Sequence, residues 1–250
     1  MSDSKFHLEN APIIEAVLDI NCTMPAALKL ETVEDAARDA FRADYPKFRK
    51  QLLLQHSIKK PAGGPAEVSG SNALQAFQFL KDDEKQLVQL RNNGFSFNRL
   101  EPYSSLDDYI PEIRKQWDSY RGLVLPVTIR RISLRYINRL LLPVDSGNLR
   151  IGDYLRHAPQ LPDGVDLSFT GFLHQHQAME AGTGNQVAIG LASQPMENSS
   201  LPVILDIAAS RDCRLDPRNW EEISAIIHSL RALKNQVFKQ SLTVPCLNRY

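Results

Sequence analysis

The stretch PVTIRRISLRYINRLLL, residues 126–142, is the longest run in the chain that repeats with a period of two. Ile132, Leu134, Tyr136 and Leu140 fall on one side together with Arg130 and Asn138, while Arg131, Ser133, Arg135 and Arg139 fall on the other with Ile137. Successive side chains of a strand point to opposite faces, so the run reads as a long strand with one apolar and one cationic face. The same period marks PIIEAVLDINC, residues 12–22, where Ile14, Ala16, Leu18, Ile20 and Cys22 alternate with Glu15, Val17, Asp19 and Asn21. Strands with one packed and one wet face are the habit of antiparallel sheet.

Working outward, residues 48–100 read as further strands: FRKQLLLQHSIKK, ALQAFQFLKDD and KQLVQLRNNGFSFNRL. They are separated by the loop PAGGPAE and by turn signals at residues 81–84 and 92–94. In the second half, residues 165–179, 186–194 and 202–209 read the same way. Three segments have helical period. Thr32 with Asp35 resembles a capping box ahead of Val33, Ala36, Ala37, Ala40 and Phe41, and Pro46 ends that helix. Ser105 with Asp108 opens a second helix that runs to about Tyr120 and contains Pro111. Asn219 with Glu222, or alternatively Asp216-Pro217, opens the longest, whose apolar stripe is Trp220, Ile223, Ile226, Ile227, Leu230, Leu233, Val237 and Phe238.

Runs of strands between single helices predict an α+β fold with mostly antiparallel sheet. Three strands open alike, as PIIEAVLDI, PVTIRRISL and PVILDIAAS. This predicts two related strand-rich halves, residues 1–125 and 126–250, with three main helices and the long C-terminal helix packed on sheet. The halves read equally as one continuous domain.

The 250 residues carry 29 basic and 29 acidic side chains. A net charge of zero is unlike the basic excess of a dedicated nucleic-acid binder. No apolar run approaches the roughly 20 residues of a membrane helix, and the start, MSDSKFHLEN, lacks the apolar core of a signal peptide. Cys22, Cys213 and Cys246 are widely spaced and form no Cys-x-x-Cys pair, as expected of reduced thiols in a cytoplasm. Phosphate loops, the GxSxG elbow and HExxH are absent from the sequence, and nothing in it asks for a cofactor. His174 and His176 would share one strand face roughly 7 Å apart, but no third ligand lies near them in sequence, so no metal site is expected.

Two groups of residues carry charge in a pattern. Arg131, Arg135 and Arg139, four residues apart on one strand face, make a cationic stripe roughly 27 Å long. Its structural reading is pairing with acids on neighbouring strands. Glu15, Asp19 and Asp206 are the candidates, with Arg135 expected to cover a buried carboxylate. Its functional reading is a surface for an anion, a nucleic acid or an acidic partner. The second group is His228, Arg231 and Asn235, at i, i+3 and i+7 on the last helix, with Lys234 and Lys239 as polar neighbours. It reads either as a solvated face or as the wall of a groove.

Pro12 to Ile20, Arg131 to Asn138, Leu205-Asp206-Ile207 and Leu230 to Thr243, in that order, resemble a sporadically distributed family of bacterial conserved hypothetical proteins of similar length. Its members begin with a PIIEAVLDI-like strand, carry an RxxLRYIN-like strand near the middle and end with a helix of the LRALKNQVFKQSLT kind. The resemblance implies a small intracellular accessory protein, with no reaction, cofactor or catalytic residue to carry over. The family's patchy distribution resembles that of genes on mobile or defence-associated islands. The expectation is a non-enzymatic interaction protein, antitoxin-like, an immunity protein or a defence-accessory subunit, binding a protein partner or forming a homo-oligomer. The loop PAGGPAEVSGSN and the tail SLTVPCLNRY are the expected contact segments. The alternatives are a ligand- or nucleic-acid-binding protein that uses the arginine stripe, and an enzyme with an unrecognised site.

Overall fold

In the computed structural model, which describes residues 8–59, 67–144, 149–162, 164–167 and 169–250, the two alternating stretches lie side by side at the middle of one antiparallel sheet. Strand β1 (Ile13–Thr23) pairs with β6 (Thr128–Pro143), placing Leu18 opposite Leu134 and Ile20 opposite Ile132. Beyond β1 come β5 (Gly94–Leu100), β4 (Gln86–Arg91), β3 (Glu67–Leu80) and β2 (Lys47–Lys59). Beyond β6 come β9 (Ser200–Leu215), β8 (Gln186–Ser193) and β7 (Leu173–Met179). The order is β2-β3-β4-β5-β1-β6-β9-β8-β7. On each side a meander brings its last strand back beside its first, and the two first strands pair with each other. The fold is therefore α+β, built of two similar strand-rich halves, with Glu15 and Asp19 on the central strand.

The long helices lie on the face that carries Leu18, Ile20, Phe95, Leu134 and Ile207, all buried. Helix α1 (Glu34–Phe41) follows β1, α2 (Leu106–Val124) follows β5, α3 (Trp220–Ser241) follows β9, and a single turn, α4 (Val244–Leu247), ends the chain. Helix α3 packs on β9 and β6. Ile223, Ile227 and Leu230 are fully buried there, each worth roughly 1.5–3 kcal/mol, whereas Trp220 at the helix start is only partly covered. Its cap is the expected one: Asn219 Oδ1 accepts from the Glu222 amide at 3.3 Å. Helices α2 and α3 touch where Trp117 Nε1 donates to the Pro217 carbonyl, 3.1 Å.

Several local expectations are corrected. Thr32 does not cap a helix; it lies in a 3-10 turn, Leu30–Val33, and its hydroxyl donates to the Lys29 carbonyl, so α1 begins at Glu34 without a side-chain cap. Arg130 is not on the buried face, because a bulge between Ile129 and Arg131 puts Ile129 there instead. The strand expected from residue 165 begins at Leu173. Helix α2 does not start late: Ser105 Oγ accepts from the Asp107 amide at its start and Pro111 sits inside it, so the Asp107 carbonyl lacks the i+4 amide donor it would have in an unbroken helix. Of PAGGPAEVSGSN, residues 61–66 lie outside the described residues, and the remainder belongs to β3. The tail is not a loose contact segment: Cys246 is fully buried, the Leu141 amide donates to the Tyr250 hydroxyl at 3.0 Å, and the Asn10 amide donates to the Tyr250 carbonyl at 2.7 Å. These bonds tie residues 8–12 to the sheet.

Candidate functional site

The face of the sheet opposite the helices carries the arginine stripe, and each guanidinium meets a carboxylate. Arg135 forks onto Asp206 across the β6–β9 pair, Nε to Oδ1 at 2.8 Å and Nη2 to Oδ2 at 2.5 Å. Arg131 reaches Asp212 at 3.4 Å and the Ser210 hydroxyl at 2.7 Å. Arg139 pairs with Glu197 and donates to Gln194 Oε1 at 3.1 Å. On the other side of the seam Asp19 pairs with Arg91, and Glu15 accepts from Asn98 Nδ2 at 2.8 Å. Burial raises the Asp19 pKa, against the opposing pull of Arg91 and Arg131. The expected buried carboxylate beneath Arg135 is corrected: the Asp206 side chain is 27% exposed and Arg135 49%, so the pair is solvated. Carboxylates from β9 and from the loop before it give the stripe a structural occupation.

The second charged group leads elsewhere. On the helix face a pocket of about 510 Å³ opens between α3 and the start of α2. That volume falls in the range of small-molecule sites. Its floor is β6, through Tyr136 and Asn138. One wall is the loop 103–105 with the first turn of α2, the other is α3, and the segment 8–13, held by the tail, closes the end. Loop 103–105 is fixed at both sides, since Arg99 donates to the Pro102 carbonyl at 3.3 and 3.2 Å and Ser104 Oγ donates to the Tyr109 hydroxyl at 3.1 Å.

Lys234 decides the character of this pocket. Its side chain lines the cavity although the residue is only 8% exposed, with Nζ 3.7 Å from the centroid of the Tyr136 ring. Among the described residues no carboxylate lies within ion-pair distance of it. A ring face is a weak substitute for a counter-ion. Burial, together with the neighbouring Arg231 charge, pushes the Lys234 ammonium down to about 7. Arg231 binds Asp107 at the first turn of α2 through Nη1, 2.6 Å. The Tyr103 and Tyr136 hydroxyls are 2.7 Å apart, either able to donate to the other, and burial pushes the Tyr136 phenol up to about 12. Leu8, Ile13, Leu106 and Phe238 give the remaining surface an apolar character.

Of the three helix residues expected to share a wall, Arg231 and Asn235 do so, and exposed His228 is not part of the pocket lining. Lys234, Tyr103, Tyr136 and Asp107 were not anticipated as site residues. A signal for Lys234 exists: it stands four residues after Leu230 and four before Phe238, inside the apolar stripe rather than opposite it. Asp107 and Tyr103 come from far along the chain and had no local signal. Cys22, Cys213 and Cys246 are unpaired thiols, and among the described residues no cluster of His, Cys, Asp and Glu has the geometry to hold a metal ion. No helix among the described residues is long and apolar enough to cross a membrane. No protein-family model and no curated protein matches the chain.

Proposed function

We propose that the chain is a ligand-binding protein whose pocket between α2 and α3 takes a small organic anion. The observation that carries this is Lys234, a cation held in a walled cavity with no counter-ion among the described residues. An ammonium buried alone is costly, and a ligand carboxylate or phosphate would supply the missing charge. Arg231, one turn earlier on the same helix face, adds a second cation to a lining that also holds Asp107 and Asp108. Leu8, Ile13, Leu106 and Phe238, which share the lining with polar residues, suit an aliphatic or aromatic body. Arg231 and the stripe arginines are alike engaged by carboxylates; what the stripe lacks is a buried cation such as Lys234 in a walled cavity, and it is therefore the weaker anion surface.

The test is thermal unfolding in the presence of inorganic phosphate, 4-methylpentanoate and phenylacetate, with matched chloride as control. A saturable rise in Tm with one of these, lost in both Lys234→Met and Arg231→Gln, is expected; a hundredfold excess over Kd adds about 2.7 kcal/mol. Unfolding that none of them shifts, or shifts equally in the double variant, would overturn the reading.

A second reading, a protein partner or a second copy of the chain, is favoured by β7. This edge strand is exposed on both faces, with Leu173 81% and Met179 68% exposed. Unpaired edges with apolar side chains are where strands add. Sedimentation of the chain, alone and with Leu173→Lys and Met179→Lys, tests it: an assembly that the double variant abolishes supports it, and a monomer at every concentration counts against self-association.

A further inference from the structure

We propose that Lys234 is a nucleophile that captures the carbonyl carbon of a 2-oxo acid as an imine, with Arg231 holding the adjacent carboxylate. This rests on reading the pocket as a ligand site and adds a covalent step to it. The geometry supplies each requirement. Lys234 lines the cavity, its Nζ lies over the Tyr136 ring, and no carboxylate is within ion-pair reach of it among the described residues. An amine attacks only when unprotonated, and burial beside a second cation is the setting that leaves a lysine neutral near physiological pH. Arg231 and Lys234 stand at i and i+3, so their side chains leave the helix on the same side, roughly 5–6 Å apart at Cβ. A 2-oxo acid presents its carboxylate and carbonyl on neighbouring carbons, which matches two groups one helical turn apart. Arg231 uses Nη1 for Asp107, which leaves the rest of its planar fork for a carboxylate. Leu8, Ile13 and Phe238 favour an acid with an aliphatic or aromatic side chain.

The chemistry balances without an oxidant or a reductant. The Nζ lone pair forms the new C–N bond, and the carbonyl π pair moves to oxygen, which takes up a proton. The resulting carbinolamine loses its hydroxyl as water while the nitrogen gives up its protons, leaving C=N, so amine and ketone become imine and water. Tyr103 and Tyr136, whose hydroxyls are 2.7 Å apart, both line the pocket and are the groups we assign to protonate the departing oxygen.

The experiment is reductive trapping. The full chain is incubated with 4-methyl-2-oxopentanoate and sodium cyanoborohydride, and adducts are counted by intact mass and located by peptide mapping. A single saturable adduct on Lys234 is expected, absent in Lys234→Met and reduced roughly tenfold or more in Arg231→Gln, the equivalent of about 1.4 kcal/mol. The ketone lacking the carboxylate, 4-methyl-2-pentanone, should label at least about tenfold less. Labelling should rise through pH 7 rather than near 10, as for an amine whose proton leaves at about 7. If the oxo acid raises the Tm of the chain and Arg231→Gln removes that rise, but adducts scatter over surface lysines or fail to form, the imine is wrong and the pocket reading stands. If neither stabilisation nor adduct is seen, both are wrong.

Discussion

Lys234 and Arg135 are cations on opposite faces of the sheet, and their surroundings give opposite consequences. In the unfolded chain Lys234 holds its proton to about 10.5, whereas in the folded protein the proton leaves at about 7. The unfolded state thus binds the extra proton between these values, so stability rises with pH across that window. The penalty is fully present below pH 7 and gone above about 10.5. Lys234→Met removes it, and the variant should be more stable than the parent by on the order of 4 kcal/mol at pH 6, with the gap closing by pH 10. Urea unfolding of both proteins at the two pH values measures this; a constant gap would mean that the ammonium is solvated or paired in solution. Arg135 sits in water on the other face, forked to a carboxylate that is itself partly exposed. Exposed pairs contribute about 0.2–1 kcal/mol, so Arg135→Ala should cost about 1 kcal/mol or less and should lose its effect in high salt. A loss of 3 kcal/mol in the same urea titration would show Asp206 to be desolvated after all.

Among the elements, the β4–β5 hairpin shows how closely neighbouring strands constrain one another. Gly94, first residue of β5, has φ +156°, and a Cβ built there would lie 2.2 Å from the Ile20 carbonyl oxygen on the central strand. That contact is backbone on backbone and no side-chain rotation relieves it, so Gly94→Ala must move β5 away from β1. A loss of 2–4 kcal/mol is expected, in the range of overpacked and strained sites, measured by thermal or urea unfolding. A Tm within a degree of the parent would show that the seam yields. The wide features of this architecture were legible in the sequence because they follow from period: β1 alternates from Ala16 to Cys22 and β6 from Ile132 to Leu142, and α3 keeps its stripe for five turns. Breaks in period were not legible. The bulge that turns Arg130 outward, the 3-10 turn that takes Thr32 from the cap, and the late start of β7 each depend on what a distant strand or helix demands. The site was half legible for the same reason. Arg231 and Asn235 share a helical face that one segment defines, whereas the partner of Arg231 is on a helix 124 residues earlier. The stripe of Arg131, Arg135 and Arg139 was visible as charge, but its neutralisation by Asp212, Asp206 and Glu197 depends on cross-strand register and on a loop.

At the scale of the molecule, the two halves of the chain meet along β1 and β6, and the question is whether they unfold together. The seam is long: ten cross-strand pairs run from Ile13 opposite Asn138 to Thr23 opposite Thr128, with Leu18, Ile20, Ile132 and Leu134 all buried on the helix side. The helices bridge it as well. Trp117 on α2 donates to the carbonyl of Pro217 just before α3, and Asp107 on α2 binds Arg231 on α3. The N-terminal segment is held by the C-terminal tail through Asn10 and Tyr250. If one half melted alone, it would expose the buried side of β1 or β6 and leave a long central strand with an unpaired edge, at a cost of many kcal/mol. Unfolding should therefore be a single transition. The chain has two tryptophans, Trp117 in the first half and Trp220 in the second, so each half can be given its own probe. Trp220→Phe leaves emission from Trp117, and Trp117→Phe leaves emission from Trp220. In each variant, urea transitions followed by fluorescence and by far-ultraviolet circular dichroism should coincide in midpoint and slope. Trp117→Phe should also lower the common midpoint, because it leaves the buried Pro217 carbonyl without its donor, a loss of about 1–3 kcal/mol. Fluorescence and circular dichroism curves that separate within one variant would show that one half outlives the other, and that the seam is an interface between folding units rather than the middle of one.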